Sequence, residues 1–518
     1  MCIALVHTVV SSAAQYVGES VGWKATNALR ADLALHVLEL DLGFHKTRTT
    51  GELIERIDGD VSSLANFFSR FVVSVIGNLA LLLGVVIVVL AEDAVAGIVL
   101  GAYALIALLV LGRLRSIAVG RWRRVREVAA LLFGFIGERL AGTEDIRSCG
   151  AEVHVMNGLA LHHRAVFAAR KHAIAAVAVI GSTTTFTFAL GSALSFGVGG
   201  YLWSAGAITL GTVYLLFHYT ELLRRPIEQL RVELEEVQRA LGSIGRIDEL
   251  LRTESRLPPG RGLALPDGAL AVDVDDVTFA YEPDGESVLR GVTLRLAPGR
   301  VLGVLGRTGS GKTTIARLLL RFYDPTSGTV SLGGVDVREA DLSDVRRRAT
   351  LVTQDVQLFH ASVRDNLTFF DPAIDDARIL EVLERVGLGG WLRRLSGPGA
   401  EGDLDSLMTA GELSAGEAQL LAFVRAFLRD PGLVILDEAS SRLDPVTERH
   451  IERAIDALLA DRTGVVIAHR LATLQRCDEI AILEGGQVVE RGDRLALAGD
   501  PSSRFAQLLS SGLEQVLA

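Results

Sequence analysis

The chain has 518 residues, a formal net charge of −10 and a mean hydropathy of +0.35. The length suggests two or three domains, and an acidic chain with no basic tract of interleaved aromatics argues against nucleic acid as a partner. Cys2, Cys149 and Cys477 lie too far apart in sequence for a metal or redox motif and fit a reducing compartment.

The apolar residues gather in the N-terminal half. Residues 1–20 form a weak apolar run. Residues 71–91 form a strong one, long enough at about 1.5 Å per residue to cross a hydrocarbon core of about 30 Å. Glu92-Asp93 makes a short acidic turn, and a second run over 94–112 completes a membrane hairpin. Residues 173–201, with Thr183, Thr184, Thr185 and Thr187, and residues 207–223 are two further spans. Asn78, His218 and the threonines are read as satisfying neighbouring helices through interhelical hydrogen bonds rather than lining a pathway.

Basic residues follow the first, third and fifth spans: Lys24 to Arg48, Arg113 to Arg126, and Arg224-Arg225. By the positive-inside rule these flanks and the C-terminal half are cytoplasmic, and the Glu92-Asp93 turn is outside. Residues 45–70 and 114–172 have helical periodicity and are expected to project beyond the membrane. Turns are expected at Gly51-Glu52-Leu53 and over 142–146, as tips that touch a cytoplasmic domain. Residues 233–251 continue the last span as an amphipathic helix. Pro258, Pro259, Gly260, Gly262, Pro266 and Gly268 mark a boundary. The expected domains are a membrane domain over 1–250, a linker over 251–268 and a second domain over 269–510.

Four of the 52 basic residues are lysine: Lys24, Lys46, Lys171 and Lys312. Such a bias keeps lysine mainly where arginine will not serve. Lys312 stands in Gly306-Arg307-Thr308-Gly309-Ser310-Gly311-Lys312-Thr313, a glycine-rich phosphate loop. Residues 300–305 before it read as a buried strand, and residues 314–320 after it as a helix. In that order, backbone N–H groups and the helix dipole face the phosphates. A compact ammonium then reaches between phosphates where a planar guanidinium does not fit. Gly306, Gly309, Ser310, Gly311, Lys312, Thr313 and Thr314 are the expected nucleotide contacts. Downstream, the apolar run 433–436 ends in Asp437 and Glu438. Asp437 and the Thr313 hydroxyl suit Mg²⁺, and Glu438 suits a base for the attacking water.

With these residues in place, nearly the whole chain resembles a half-subunit of an ATP-binding cassette (ABC) transporter of the exporter type. The resemblance implies an α-helical transmembrane bundle with long cytoplasmic extensions, of the type IV exporter kind, plus an α/β P-loop NTPase domain. Leu413-Ser414-Ala415-Gly416-Glu417 is similar to the family signature LSGGQ and departs at Ala415 and Glu417. The resemblance implies that Ser414 and Gly416 contact ATP bound to a second half. It also implies that Tyr281 stacks on adenine, Gln354 lies near Mg²⁺, His469 touches the γ-phosphate and Asp444 belongs to a loop at the dimer interface. Phe359, Ser362, Val363 and Asn366 resemble an exporter stretch. Residues 408–412 depart from the exporter pattern.

The resemblance implies an ATP hydrolase with ATP and Mg²⁺ as cofactors, in the plasma membrane, exporting a lipophilic or amphipathic molecule. The partners implied are an identical or paralogous second half, the bilayer and a small-molecule substrate. Alternatives are a truncated, transport-inactive ATPase or an importer on an exporter fold. Family members carry six spans per half where five are counted here, so apolar coding sequence is expected upstream of Met1.

Overall fold

A computed structural model describes residues 2–353, 356–395, 403–408, 413–437, 445–468 and 471–510. It forms two units: Met1–Leu38 with Thr50–Thr253, and Glu39–Thr49 with Glu254–Ala518.

The first unit is helical. α1 (Cys2–Glu39) leads to α2 (Leu42–Thr47), which lies within the second unit. The chain then returns through α3 (Thr50–Ile54) and a π-helical turn, Glu55–Asp60, into α4 (Val61–Glu92). α5 (Ala94–Ala141), α6 (Thr143–Ser148), α7 (Glu152–Ser204), α8 (Leu210–Leu222) and α9 (Arg224–Leu251) follow. Among the described residues, Ser74–Glu92 and Glu152–Ser204 are long and apolar enough to cross a membrane, and Ala94–Val110 is a shorter apolar helix. The Glu92-Asp93 turn is a helix boundary, because the Asp93 carboxylate accepts from Ala96 N at 2.8 Å and caps α5.

Three expectations need correction. The turn expected over 142–146 is confined to Gly142, the C-cap of α5, and residues 143–146 are within α6. Gly51-Glu52-Leu53 is inside α3, not a turn; the chain leaves and re-enters the first unit across residues 39–49. The threonines of α7 do not bridge helices. Thr183, Thr184, Thr185 and Thr187 donate to Val179, Ile180, Gly181 and Thr183 carbonyls of their own helix, at 2.8–3.1 Å. Asn78 likewise donates to Ser74 O. A short polar side chain reaches the carbonyl one turn back more readily than a neighbouring helix.

α5 packs on α7, α4 on α9, and α7 on α8. Leu82, Val85, Val89, Leu100, Ala104, Phe188, Leu216 and Ile227 form their core. Small residues set the closest approaches. A Cβ on Gly191 would collide with the Tyr103 ring, and one on Gly199 would meet Val213 Cγ1 at 3.0 Å.

Beyond the apolar segments, Asp60 is 2 % exposed and joins the π-helical turn to α9. It accepts from Ser243 Oγ at 2.9 Å and Arg246 Nε at 2.9 Å, and it pairs with a second Arg246 nitrogen. Burial works to raise its carboxyl, but the Arg246 and Ser243 hydrogen bonds outweigh that and hold it below the ordinary range.

The second unit is α/β. Strands β1 (Val272–Phe279), β2 (Leu289–Leu296), β4 (Ser327–Leu332) and β5 (Val335–Asp336) form an antiparallel sheet in the order β2-β1-β4-β5. The central sheet runs β10-β9-β3-β8-β7-β6. Its members are β3 (Val301–Leu305), β6 (Ala349–Val352), β7 (Leu433–Asp437), β8 (Thr463–Ile467), β9 (Glu479–Glu484) and β10 (Gln487–Asp493). All pairs are parallel except β9 with β10. One apolar core lies between the two sheets and another between the central sheet and the helices on its other face. Those helices include α13 (Asp376–Val386), α15 (Ala415–Arg429) and α16 (Pro445–Leu459). In such a sheet, ligands gather beyond the carboxyl ends of the parallel strands, where the connections begin.

Candidate functional site

All five residues of β3 are buried, and the glycine-rich loop leaves its carboxyl end. α10 (Lys312–Leu319) starts directly after it. Gly311 sits at φ +105°, where a Cβ would strike Leu289 Cδ2 at 2.5 Å, and Gly309 sits at φ +83°. An L side chain rarely adopts these angles, so the loop can wrap closely only with glycine there. Lys312 is 7 % exposed and its ammonium donates to the Gly306 carbonyl at 2.6 Å and the Arg307 carbonyl at 3.1 Å. The buried Ser310 hydroxyl has no hydrogen-bond partner among the described residues. An open cleft of about 490 Å³, lined by residues 306–310 and by 482–485 at the end of β9, adjoins the loop.

A buried hydroxyl without a partner is costly, and an ammonium turned onto its own loop carbonyls is one that an anion can attract away. Both features fit a phosphate ligand. The Thr313 hydroxyl donates to Asp437 Oδ2 at 3.2 Å, across 124 residues of sequence. These are two hard oxygens of the kind Mg²⁺ takes, and that ion fills its remaining positions with waters and substrate oxygens.

Tyr281, just past β1, is held on several sides. Its hydroxyl accepts from Arg317 at 2.8 Å and lies 3.0 Å from Thr314 Oγ1, on the helix that carries Lys312. Phe279 and Tyr323 meet its ring nearly at right angles, at 4.9 and 5.2 Å. Burial raises the Tyr323 hydroxyl above its ordinary value. The Lys46 ammonium of α2 stands 4.3 Å from the Tyr281 ring centroid.

Ser414 is the N-cap of α15. Its side chain accepts from Glu417 N at 3.2 Å, and Glu417 Oε2 accepts from Ser414 N at 3.0 Å and Ser414 Oγ at 2.9 Å. This reciprocal capping box accounts for the acid at position 417. The other Glu417 oxygen accepts from Arg394 at 3.0 Å. Gly416, in the first turn of α15, is buried. Asn366, within α12 (Val363–Thr368), is fully buried and ties residues 359–362 together through its amide. Arg425 of α15 donates to the Asn366 and Gln357 carbonyls, and burial lowers its pKa to about 10.

Gln354, Glu438, Asp444 and His469 lie outside the described residues. Of the other expected residues, Gly306, Gly309, Ser310, Gly311, Lys312, Thr313, Thr314, Asp437 and Tyr281 are brought together through the loop, α10 and the end of β7. Ser414 and Gly416 stand at the start of α15. Sequence reasoning missed Lys46, although the scarcity of lysine was a signal that pointed to it. It also missed Arg394, which no local pattern marks.

The family described as ABC transporter transmembrane region matches residues 1–227, and the family described as ABC transporter matches residues 289–441. A multidrug efflux ATP-binding/permease protein of Mycobacterium bovis is 32 % identical over 506 residues, covering 95 % of this chain and 41 % of its own length. The chain thus spans about two-fifths of that relative. An ATP-dependent lipid A-core flippase of Idiomarina loihiensis is 29 % identical, over 95 % of this chain and 84 % of the relative. Among solved structures, a bacterial Atm1-family ABC exporter with ATP bound superposes with a TM-score of 0.82 at 25 % identity, over 96 % of this chain and 86 % of that one.

Proposed function

We infer the function from one premise: the chain belongs to the ABC transporter family, as an exporter-like half-subunit with a membrane domain fused ahead of its ATP-binding domain. The reading is ATP-driven export of a lipophilic or amphipathic small molecule across the plasma membrane, with a second half completing the pump. The observation that carries it is a glycine-rich phosphate loop with a buried Ser310 hydroxyl, unpartnered among the described residues, on the same chain as long apolar helices.

In this reading Gly306 to Thr314 wrap the phosphates. Lys312 exchanges its loop carbonyls for phosphate oxygens, and Thr313 and Asp437 hold Mg²⁺. An Mg²⁺ ion held there would supply positive charge to the phosphate oxygens. The roles assigned to the remaining residues are orienting and deprotonating the attacking water for Glu438, Mg²⁺ for Gln354 and the γ-phosphate for His469. Tyr281 receives the base. Ser414 and Gly416 serve the nucleotide of the partner half, and Asp444 is assigned to the contact with that half. Few charges stand in the apolar segments, which favours an apolar or amphipathic cargo. The multidrug and lipid-flippase relatives support the same class.

The test is uptake of a fluorescent amphiphile into inside-out proteoliposomes carrying the full chain. MgATP-dependent uptake and hydrolysis are expected, and both should be lost in Lys312→Ala. Hydrolysis that persists in that variant, or hydrolysis that no amphiphile stimulates and that moves none, rejects export. Uptake into right-side-out vesicles instead would indicate import.

A further inference from the structure

We propose that Lys46 controls access of a base: its ammonium covers the aromatic face of Tyr281 on which a purine would stack, so purine stacking and the present position of that ammonium exclude each other. The inference rests on the nucleotide reading of Tyr281 given above. It adds a specificity-determining residue outside the phosphate loop.

Tyr281 is fixed where it stands. Arg317 and Thr314 hold its hydroxyl, and Phe279 and Tyr323 pack nearly perpendicular to it. A ring tethered at so many points cannot turn away cheaply, so an incoming base must use the face the ring presents. The Lys46 ammonium, at 4.3 Å from the centroid, fills the space over that face. A stacked ring needs its own centroid about 4.5 Å or more above the same face, and the two cannot share it.

α2 is seated independently of this contact. Asp41, 6 % exposed, caps it by accepting from Phe44 N at 3.1 Å. Its other oxygen accepts from Arg256 N at 2.8 Å, at the chain's entry into the ATP-binding domain. An open cleft of about 210 Å³, lined by Asp41, Gly43, Arg256, Tyr281, Tyr323 and Asp324, lies alongside. The displaced ammonium has that cleft and its carboxylates to move into.

Lysine suits the role. Its ammonium is a compact, strongly hydrated charge that leaves an aromatic face readily, whereas a guanidinium also stacks on it.

The experiment is calorimetric titration of the full chain in detergent with MgATP and with magnesium tripolyphosphate, which has no base. Lys46→Met keeps the stem and removes the charge. It should tighten MgATP binding by about three- to thirtyfold, the range a cation–π contact commands, and leave tripolyphosphate affinity unchanged. Lys46→Arg should bind MgATP no more tightly than wild type. Lys46 acting as a phosphate-attracting charge would instead weaken both ligands in the methionine variant, and Lys46 acting only to anchor α2 would shift melting temperature and both affinities together. Either result, or no change for MgATP, overturns the proposal. Wild type that binds tripolyphosphate but gains nothing from the base overturns the reading of Tyr281 as well. Wild type that binds neither ligand overturns the nucleotide reading itself.

Discussion

Glu417→Ala removes the reciprocal half of the capping box that opens α15. The carboxylate accepts two hydrogen bonds from Ser414 and one from Arg394. Arg394 is 70 % exposed, so that ion pair contributes about 0–1 kcal/mol. The capping contacts are larger, about 1 kcal/mol, and an acid in the first turn adds about 0.3–1 kcal/mol through the helix dipole. Their sum, discounted for non-additivity, is about 1.5 kcal/mol, which corresponds to about a tenfold faster local opening. Glu417→Gln retains a neutral acceptor and loses mainly charge, so about a two- to threefold change is expected. The assay is hydrogen exchange with mass spectrometry on the full chain, following peptides that cover 413–420. The acceleration should fade beyond the first two turns of α15. Equal protection in all three proteins, or an alanine effect smaller than the glutamine effect, would show that the capping box does not hold this helix end.

Two further predictions concern the membrane domain. Asp60→Ala, which leaves the half-exposed Arg246 without its partner, should destabilise the domain by about 2–4 kcal/mol, read as a lowered thermal midpoint in detergent. The folded carboxyl lies below its reference value of 3.8, so its contribution is present above that pH and is lost as pH falls through the folded value. Wild-type stability should therefore fall on strong acidification by more than that of Asp60→Ala; parallel curves would refute the assignment. Gly191→Leu should cost about 1–3 kcal/mol by forcing the Tyr103 ring aside, and Gly191→Leu with Tyr103→Ala should recover part of it; additive losses would show that the two positions are not coupled.

Much of the architecture is legible in the amino-acid sequence. The phosphate loop could be read because its glycines, lysine and flanking apolar strand are local requirements written in consecutive residues. The hairpin at Glu92-Asp93 was legible because two long apolar runs meet at a two-residue polar break. The threonines of α7 were misread because composition does not say whether a hydroxyl bonds across helices or to the carbonyl one turn back. The turn expected at Gly51 was misplaced because glycine is tolerated in a helix, and the reversal occurs across residues 39–49. The acid at 417 reads in the sequence only as a departure from the signature, and its bonds to Ser414 make it a helix cap.

By itself, the amino-acid order determined which segments prefer an apolar medium, where the loop must be glycine, and that one lysine faces phosphate-binding backbone. These depend on residues within a few positions of one another. Only the tertiary structure decided that Thr313 meets Asp437, that Arg394 reaches Glu417, and that Lys46 stands over Tyr281. Such pairs are separated by tens to hundreds of residues. Sheet order and helix packing bring them within bonding distance, and no local periodicity encodes that.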